Sequence, residues 1–96
     1  MKTKKYKDFL QKELKNPKIA AAYLNTCLEE DDAELMLMAL RDVAEAQGMG
    51  TIAKKINISR VTLYRALSKG GNPEFNSLLD ILRALRLRFS FKARVA

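Results

Sequence analysis

Apolar residues recur every three or four positions through most of the chain, and this spacing divides it into short helices. Asn16 and Pro17 form a helix start, because Asn caps free backbone N–H groups and Pro suits the first helical position. A second apolar face predicts a central helix over Ala33–Gln47, and Gly48 ends it. The stripe that follows Pro17 comprises Ala20, Tyr23, Leu24, Cys27 and Leu28.

Two polar segments flank the first of these helices. Met1–Lys15 is rich in lysine and carries apolar residues that suit a short amphipathic helix, although a frayed, solvated terminus fits it equally well. The acidic run Glu29–Asp32 is better explained by helix-end chemistry than by a carboxylate metal or catalytic site. We expect Asp31 or Asp32 to cap the central helix, with Glu34 beside its positive end.

The stretch that starts at Gly50 predicts two short helices joined by a tight turn, the first over Thr51–Ile56 and the second over Arg60–Ser68. Asn57 falls at the turn, where the backbone usually needs a positive φ that Asn tolerates well. Ser59 is suited to cap the second helix. This spacing is typical of a helix-turn-helix, whose second helix enters the major groove of DNA.

A helix-breaking segment, Lys69 to Pro73, separates this pair from another apolar helix, for which Asn76 is the expected cap. The last helix should seal the core beneath the helix-turn-helix. The core is expected to contain Ile52, Ala53, Ile56, Leu63, Leu67, Leu78, Leu82 and Leu85.

The period changes near the C-terminus. From Leu87 to Val95 apolar residues alternate with polar ones, which predicts a β-strand with one apolar and one cationic face. Because a lone strand leaves its N–H and C=O groups without partners, the economical solution is pairing with a second copy in a homodimer. The sheet edge of a partner protein and a flexible, solvated tail are the alternatives.

The predicted fold class is therefore all-α: a small helical bundle with a helix-turn-helix and a short C-terminal β-strand paired in a dimer. We divide the chain into an N-terminal helical extension (1–32), a helix-turn-helix DNA-binding core (33–86) and a C-terminal strand (87–96). A chain of 96 residues suits one small domain with a modest core.

Charge favours an anionic partner, since the net charge is +7 and the pI is near 9.8. The charge is uneven: +5 over residues 1–18, −6 over 19–50, +5 over 51–71 and +3 over 72–96. Cys27 is the single cysteine, so no intramolecular disulfide can form, which suits a reducing compartment. Neither a membrane-length apolar run nor a signal peptide is recognisable, so we expect a cytoplasmic protein without a membrane partner.

Between Thr51 and Gly71 the chain has five basic residues and no acidic ones. Arginine can grip guanine edges in bidentate fashion, and Val or Tyr can touch a thymine methyl group. The alternative is a solvated basic face on a helical hairpin. We expect the base-facing set to be Arg60, Val61, Tyr64 and Arg65, although Tyr64 can equally pack on Lys69 or Arg60. The expected DNA-backbone contacts are Thr51, Lys54, Ser59, Thr62, Lys69 and Asn72.

These residues resemble a known family. The chain is similar to the antidote (antitoxin) proteins of bacterial toxin–antitoxin addiction modules, in the phage-repressor-like (lambda-repressor-like) helix-turn-helix group. The resemblance covers nearly the whole length. It rests on an ordered set of matches: Asn16-Pro17, Ala21-Ala22-Tyr23-Leu24-Asn25, Glu29-Glu30-Asp31-Asp32, Leu40-Arg41-Asp42-Val43-Ala44, Gly48-Met49, Ser59-Arg60, Leu63-Tyr64-Arg65-Ala66-Leu67-Ser68, Gly71-Asn72-Pro73 and Leu82-Arg83-Ala84-Leu85.

The resemblance implies a transcriptional autorepressor that binds its own promoter and neutralises a toxin encoded next to it, often a ribosome-dependent endoribonuclease. The chain departs from the wider repressor group at Asn57, where Gly is usual, and at Ala66-Leu67, where an aromatic–acidic pair is frequent. These departures leave the pattern of base contacts open.

The functional hypothesis is a sequence-specific DNA-binding antitoxin and autorepressor. The expected partners are double-stranded operator DNA, a second copy of the chain and a cognate toxin. The alternatives are a phage-type repressor without a toxin partner, and a protein-interaction module that uses the fold as a scaffold. We do not expect an enzyme, a cofactor or a metal site, because the chain has no histidine, one core-type cysteine and no Gly-rich phosphate loop.

Overall fold

The computed structural model describes residues 3–95, and six helices make up the regular structure of this part of the chain. Met1, Lys2 and Ala96, at the ends of the predicted N-terminal extension and C-terminal strand, lie outside the described residues. The helices are α1 (Lys4–Glu13), α2 (Pro17–Leu28), α3 (Ala33–Gln47), α4 (Met49–Lys55), α5 (Arg60–Ala66) and α6 (Phe75–Ala84).

Side-chain caps begin four of these helices. Thr3 caps α1, and Asn16 caps α2 by accepting a 2.9 Å hydrogen bond from the N–H of Lys18. Of the two candidate aspartates, Asp32 caps α3, and its carboxylate accepts from two backbone N–H groups at 3.0 and 3.2 Å. Ser59 caps α5, as predicted. The predicted cap of α6 is wrong: that helix begins one residue before Asn76, and Glu74 precedes it without a side-chain capping bond.

The core surrounds α3, which contacts α1, α2 and α4. Val43 and Ala44 on α3 are completely buried, and so is Leu14, which ends α1. The predicted core is confirmed at Ile52, Ala53, Leu63, Leu67, Leu82 and Leu85, which are buried. Ile56 and Leu78 are half-buried and pack against the same core.

The predicted C-terminal strand is wrong. Residues 88–95 have no regular structure, and the part of the chain between residues 3 and 95 contains no strand, although its helical content agrees with the all-α prediction. Alternation of side chains does not make a strand without a second strand to complete the hydrogen-bond ladder, and residues 3–95 supply none.

Side-chain contacts hold this C-terminal tail, which we define as residues 88–95. The ring of Phe89 stacks on Phe75 with centroids 5.6 Å apart. The Arg94 guanidinium bonds both carboxylate oxygens of Asp31 at 3.0 and 3.2 Å, which lowers the pKa of that carboxyl. Phe91 remains 96% exposed. The homodimer was predicted from strand pairing, and without a strand in residues 3–95 that basis is gone.

Candidate nucleic-acid interface

The α4–α5 pair is joined by a compact elbow of four residues. Asn57 adopts φ 59°, the left-handed conformation expected of it, and turns the chain sharply after α4. The N–H of Ile58 then donates a 3.0 Å bond to the carbonyl of Ala53. Ala53 is 2% exposed, so a small side chain lies where the two helices approach. The elbow fixes the direction in which α5 leaves α4.

The N-terminal end of α5 is held by a hydroxyl pair. The Ser59 Oγ accepts a 3.0 Å bond from the N–H of Thr62 and donates a 2.8 Å bond to the hydroxyl of Thr62. The two hydroxyls therefore hold each other at the start of α5, and both belong to the predicted DNA-backbone contacts.

The two faces of α5 differ sharply in exposure. Leu63 on α5 and Leu67 just after it have no exposed surface and anchor the helix on the core. The base-facing set predicted from the sequence lies on the opposite side, where Val61 is 63% and Tyr64 39% exposed. Arg60 and Arg65 are also exposed. The spacings of three and four residues within this set (61 to 64, 60 to 64 and 61 to 65) bring the side chains onto one broad face of the helix.

The remaining predicted contacts surround this face less evenly. Thr51 and Lys54 are exposed on α4, and Lys69 is exposed just after α5. Asn72 is also exposed, but it lies in the α5–α6 loop beside an apolar groove. Among the predicted site residues, Asn72 therefore has the surroundings that differ most from those of the others.

The arginine at the start of α5 lies against α4. A Cβ atom built on Gly50 would be 2.6 Å from Nη2 of Arg60 and 3.4 Å from its Cζ and Nε. The guanidinium of Arg60 therefore covers the Cα of Gly50. This contact joins the two helices at their exposed side, and sequence analysis did not anticipate it.

Basic residues of the α4–α5 pair are exposed and not neutralised within the described chain. The ion pairs found among residues 3–95 join Arg83 to Asp80 and Arg94 to Asp31. None of them uses Lys54, Lys55, Arg60, Arg65 or Lys69. With no acidic residue from 51 to 71, this surface has a concentrated positive charge that suits a polyanion.

A second surface is apolar. A groove of about 490 Å³ lies between α2, α3, α6 and the tail. Phe89 and Leu28 at this groove, and Phe75 beside Phe89, are large apolar residues with substantial exposure. Residues that line the groove include Leu24, Leu28, Met36, Leu78, Leu82 and Phe89.

One polar contact lies away from both surfaces. The Tyr23 hydroxyl donates a 2.7 Å bond to the carboxylate of Asp42 and so links α2 to α3. Burial, and then the hydrogen bond and negative charge of Asp42, raise the pKa of Tyr23 well above its usual value. Tyr23 belongs to the predicted apolar stripe, but the 19-residue separation gives no local signal for its partner.

Residues 3–95 contain no group of three or more His, Cys, Asp or Glu side chains arranged to hold a metal ion. None of its helices has the length and apolar character needed to span a membrane.

The fold and the cationic helix pair define a small all-helical protein with one positively charged face and one apolar groove. Residues 4–93 match the family model described as "probable addiction module antidote protein". The chain is also 43% identical over 88 residues to an uncharacterized protein of Haemophilus influenzae, with 91% of each chain covered. No solved structure matches it. The protein belongs to the family of probable addiction module antidote proteins. The expected antidote family is thereby confirmed, whereas the phage-repressor-like grouping stays a prediction.

Proposed function

We propose that this antidote-family protein is a sequence-specific DNA-binding antitoxin that represses its own promoter in the cytoplasm. The observation that carries the DNA-binding part is the exposed face of α5. The predicted base-facing residues of α5 lie opposite its buried leucines. Two of them are arginines, three exposed lysines lie on α4 and just after α5, and no acidic residue occurs from 51 to 71. A helix with one buried face and one acid-free cationic face suits the groove of a polyanion better than it suits solvent alone.

In this proposal α4 and α5 act as a helix-turn-helix. α5 enters the major groove, where Arg65 reaches a guanine edge while Val61 and Tyr64 touch base methyl groups. α4 crosses the sugar–phosphate backbone, where Lys54 contacts a phosphate, and Thr62 contacts another from the first turn of α5. The elbow at Asn57 supplies the angle between the two helices.

The test is fluorescence anisotropy with two labelled duplexes, one from the DNA directly upstream of the coding sequence and one scrambled. We expect tighter binding to the upstream duplex. Replacement Arg65→Ala should cost about 1–3 kcal/mol on that duplex and much less on the scrambled one, because a lost base contact affects specific binding first.

Arg88→Ala is the matched control, since it removes the same charge from the tail. Arg88→Ala should lower the affinity for both duplexes slightly and to the same extent, because it removes only long-range electrostatic attraction. Equal effects of Arg65→Ala and Arg88→Ala on both duplexes would overturn the assignment of α5 as the reading helix.

A homodimer on the operator remains part of the proposal, without the strand pairing that the structure removes. The support is geometric: α5 has seven residues, and at about 1.5 Å per residue such a helix reads only a short half-site. Two copies on a two-fold symmetric operator would double the contact. Sedimentation of the protein with the upstream duplex should give two chains per duplex, and a single chain at saturation would contradict this.

We propose that the antitoxin activity uses the groove and the tail and not α5. The support is the antidote family together with exposed apolar side chains at Leu28, Phe75 and Phe89, because clustered exposed apolar surface marks protein-interaction sites. The occupant we propose is the cognate toxin, encoded by the adjacent gene. Co-expression of that gene with this one should relieve growth arrest and give a complex on size-exclusion chromatography.

The alternatives give different results in the same two assays. A phage-type repressor without a toxin partner binds the upstream duplex but does not rescue growth with either neighbouring gene. A scaffold for protein interaction rescues growth but shows no preference between the upstream and scrambled duplexes.

A further inference from the structure

We propose that Gly50 is a positioning residue for Arg60: the missing side chain on α4 leaves the space in which the Arg60 guanidinium is held for a base contact. The proposal rests on the DNA-binding function proposed above and adds a residue that determines specificity. Gly50 itself offers no hydrogen-bonding side chain, so it acts only through the arginine that covers it.

The geometry of the contact carries this inference. Three atoms of the Arg60 head group, Nη2, Cζ and Nε, are the nearest atoms to the Cβ position of Gly50, the closest at 2.6 Å. Real Cβ atoms do not approach other heavy atoms so closely. Any side chain at this position therefore displaces the guanidinium from its present place.

The guanidinium lies against the Cα of Gly50 although it is on the surface. Arg60 is exposed, and among residues 3–95 no hydrogen bond or ion pair engages its donors. Its N–H groups are therefore available to an incoming acceptor. In our proposal the space above Gly50 lets Arg60 keep this position in the free protein. It then loses less conformational entropy on binding, which favours contact with a base edge.

A side chain at position 50 should displace the Arg60 guanidinium without destabilising the fold. The close neighbour of Gly50 is the flexible end of a side chain. At Gly71, by contrast, a Cβ would meet the backbone carbonyl oxygens of Ala66, Arg65 and Ser68, which cannot move without disturbing the end of α5. Gly50 also lies within α4, where alanine is a better helix former than glycine.

The experiment is a double-mutant cycle with Gly50→Ala, Arg60→Ala and the double variant, measured by anisotropy on the upstream and scrambled duplexes. We expect Gly50→Ala to lower upstream affinity about tenfold and scrambled affinity less than twofold, with an unchanged or higher melting temperature. In the Arg60→Ala background the same replacement should have no effect on affinity, because nothing remains to be displaced.

Two results overturn the positioning role. One is wild-type affinity for the upstream duplex in the Gly50→Ala variant. The other is an equal loss of affinity with and without Arg60, which would mean that the added methyl group acts directly on DNA or on α4.

A measurement without DNA separates failure of this inference from failure of the proposed function. In the free protein, an NMR cross-peak should report that the Arg60 side chain lies close to the Hα protons of Gly50, and Gly50→Ala should weaken it. Absence of this cross-peak in the wild-type protein would contradict the positioning role even if the protein binds its upstream duplex. Its presence together with no preference for the upstream duplex would instead contradict the proposed DNA reading.

Discussion

Tyr23 and Asp42 show how one side-chain pair fixes the packing of two helices. The hydroxyl–carboxylate bond of 2.7 Å joins α2 to α3 at a half-buried position. Hydrogen bonds to charged groups are stronger than neutral ones, and losing one partner leaves the other poorly solvated. The pair therefore stabilises the folded protein, and the folded protein favours the protonated form of Tyr23.

Replacement Tyr23→Phe should lower the free energy of unfolding by about 1.5 kcal/mol at neutral pH. The pH dependence has a defined sign. The pKa of Tyr23 is raised in the folded protein, so above the ordinary tyrosine pKa of about 10 the unfolded chain loses this proton first and stability falls as pH rises. Urea unfolding at about pH 8 and about pH 11 should show a smaller alkaline loss in the variant than in the wild type. An equal alkaline loss in both would contradict the raised pKa.

Gly71→Ala tests a second single-residue constraint. The added Cβ would meet three backbone carbonyl oxygens at the end of α5, two of them at 2.9 Å. We expect a loss of about 2 kcal/mol, as for other overpacked sites. Gly50→Ala is the matched control, and thermal unfolding should show that only the Gly71 variant melts earlier. Equal melting temperatures would contradict the carbonyl contact.

Local residue chemistry was predictable where the partner is close in sequence. The roles of Asn16, Asp32, Asn57 and Ser59 follow from backbone groups within three residues. The contacts Tyr23–Asp42 and Gly50–Arg60 were missed, because they join different helices and depend on packing. The only available signal for the second was a glycine near the start of α4, and sequence alone gives it no partner.

At the scale of elements, the central helix α3 was predicted with its observed bounds, because its apolar face, its acidic cap and its terminal glycine agree. The α4–α5 pair was predicted with shifted ends: α4 begins at Met49 and α5 ends at Ala66. Helix ends fray and are set by tertiary contacts, so these shifts are small. The C-terminal tail was predicted wrongly, because period-two alternation describes side chains and not the availability of a pairing strand.

The elbow can be tested through Asn57. Replacement Asn57→Ala should lower the free energy of unfolding by about 1 kcal/mol, because the left-handed conformation that Asn57 adopts at φ 59° is unfavourable for alanine. Asn57→Gly is the control and should be neutral or stabilising, since glycine has no Cβ to strain. Chemical denaturation of the three proteins measures the difference. Equal stability of the alanine and glycine variants would contradict a strained elbow.

For the whole molecule, two surfaces of different chemistry share one core. The cationic face lies on α4 and α5, and the apolar groove lies between α2, α3, α6 and the tail. The all-α class and most of the core were predictable, because buried leucines and isoleucines follow the helical period. The groove was not predictable, because it forms between three separate helices and a tail that the alternating pattern wrongly predicted to be a strand.

Removal of the tail tests whether the two surfaces are independent. A chain that ends at Leu87 loses the Phe89–Phe75 stack and the Arg94–Asp31 ion pair, both on the surface. We expect it to stay folded and to bind the upstream duplex slightly more weakly, because it loses the three tail cations Arg88, Lys92 and Arg94. It should no longer bind the toxin on size-exclusion chromatography. Retention of toxin binding would place the antitoxin surface elsewhere.

NMR titration of the labelled protein with the upstream duplex tests the central claim most directly, since it reports which surface touches DNA. The account predicts that the largest shift changes fall on residues 51–69, with Val61, Tyr64 and Arg65 foremost, while α1, α2 and the groove change little. Shift changes centred on α1 or on the tail, with α5 unaffected, would contradict it.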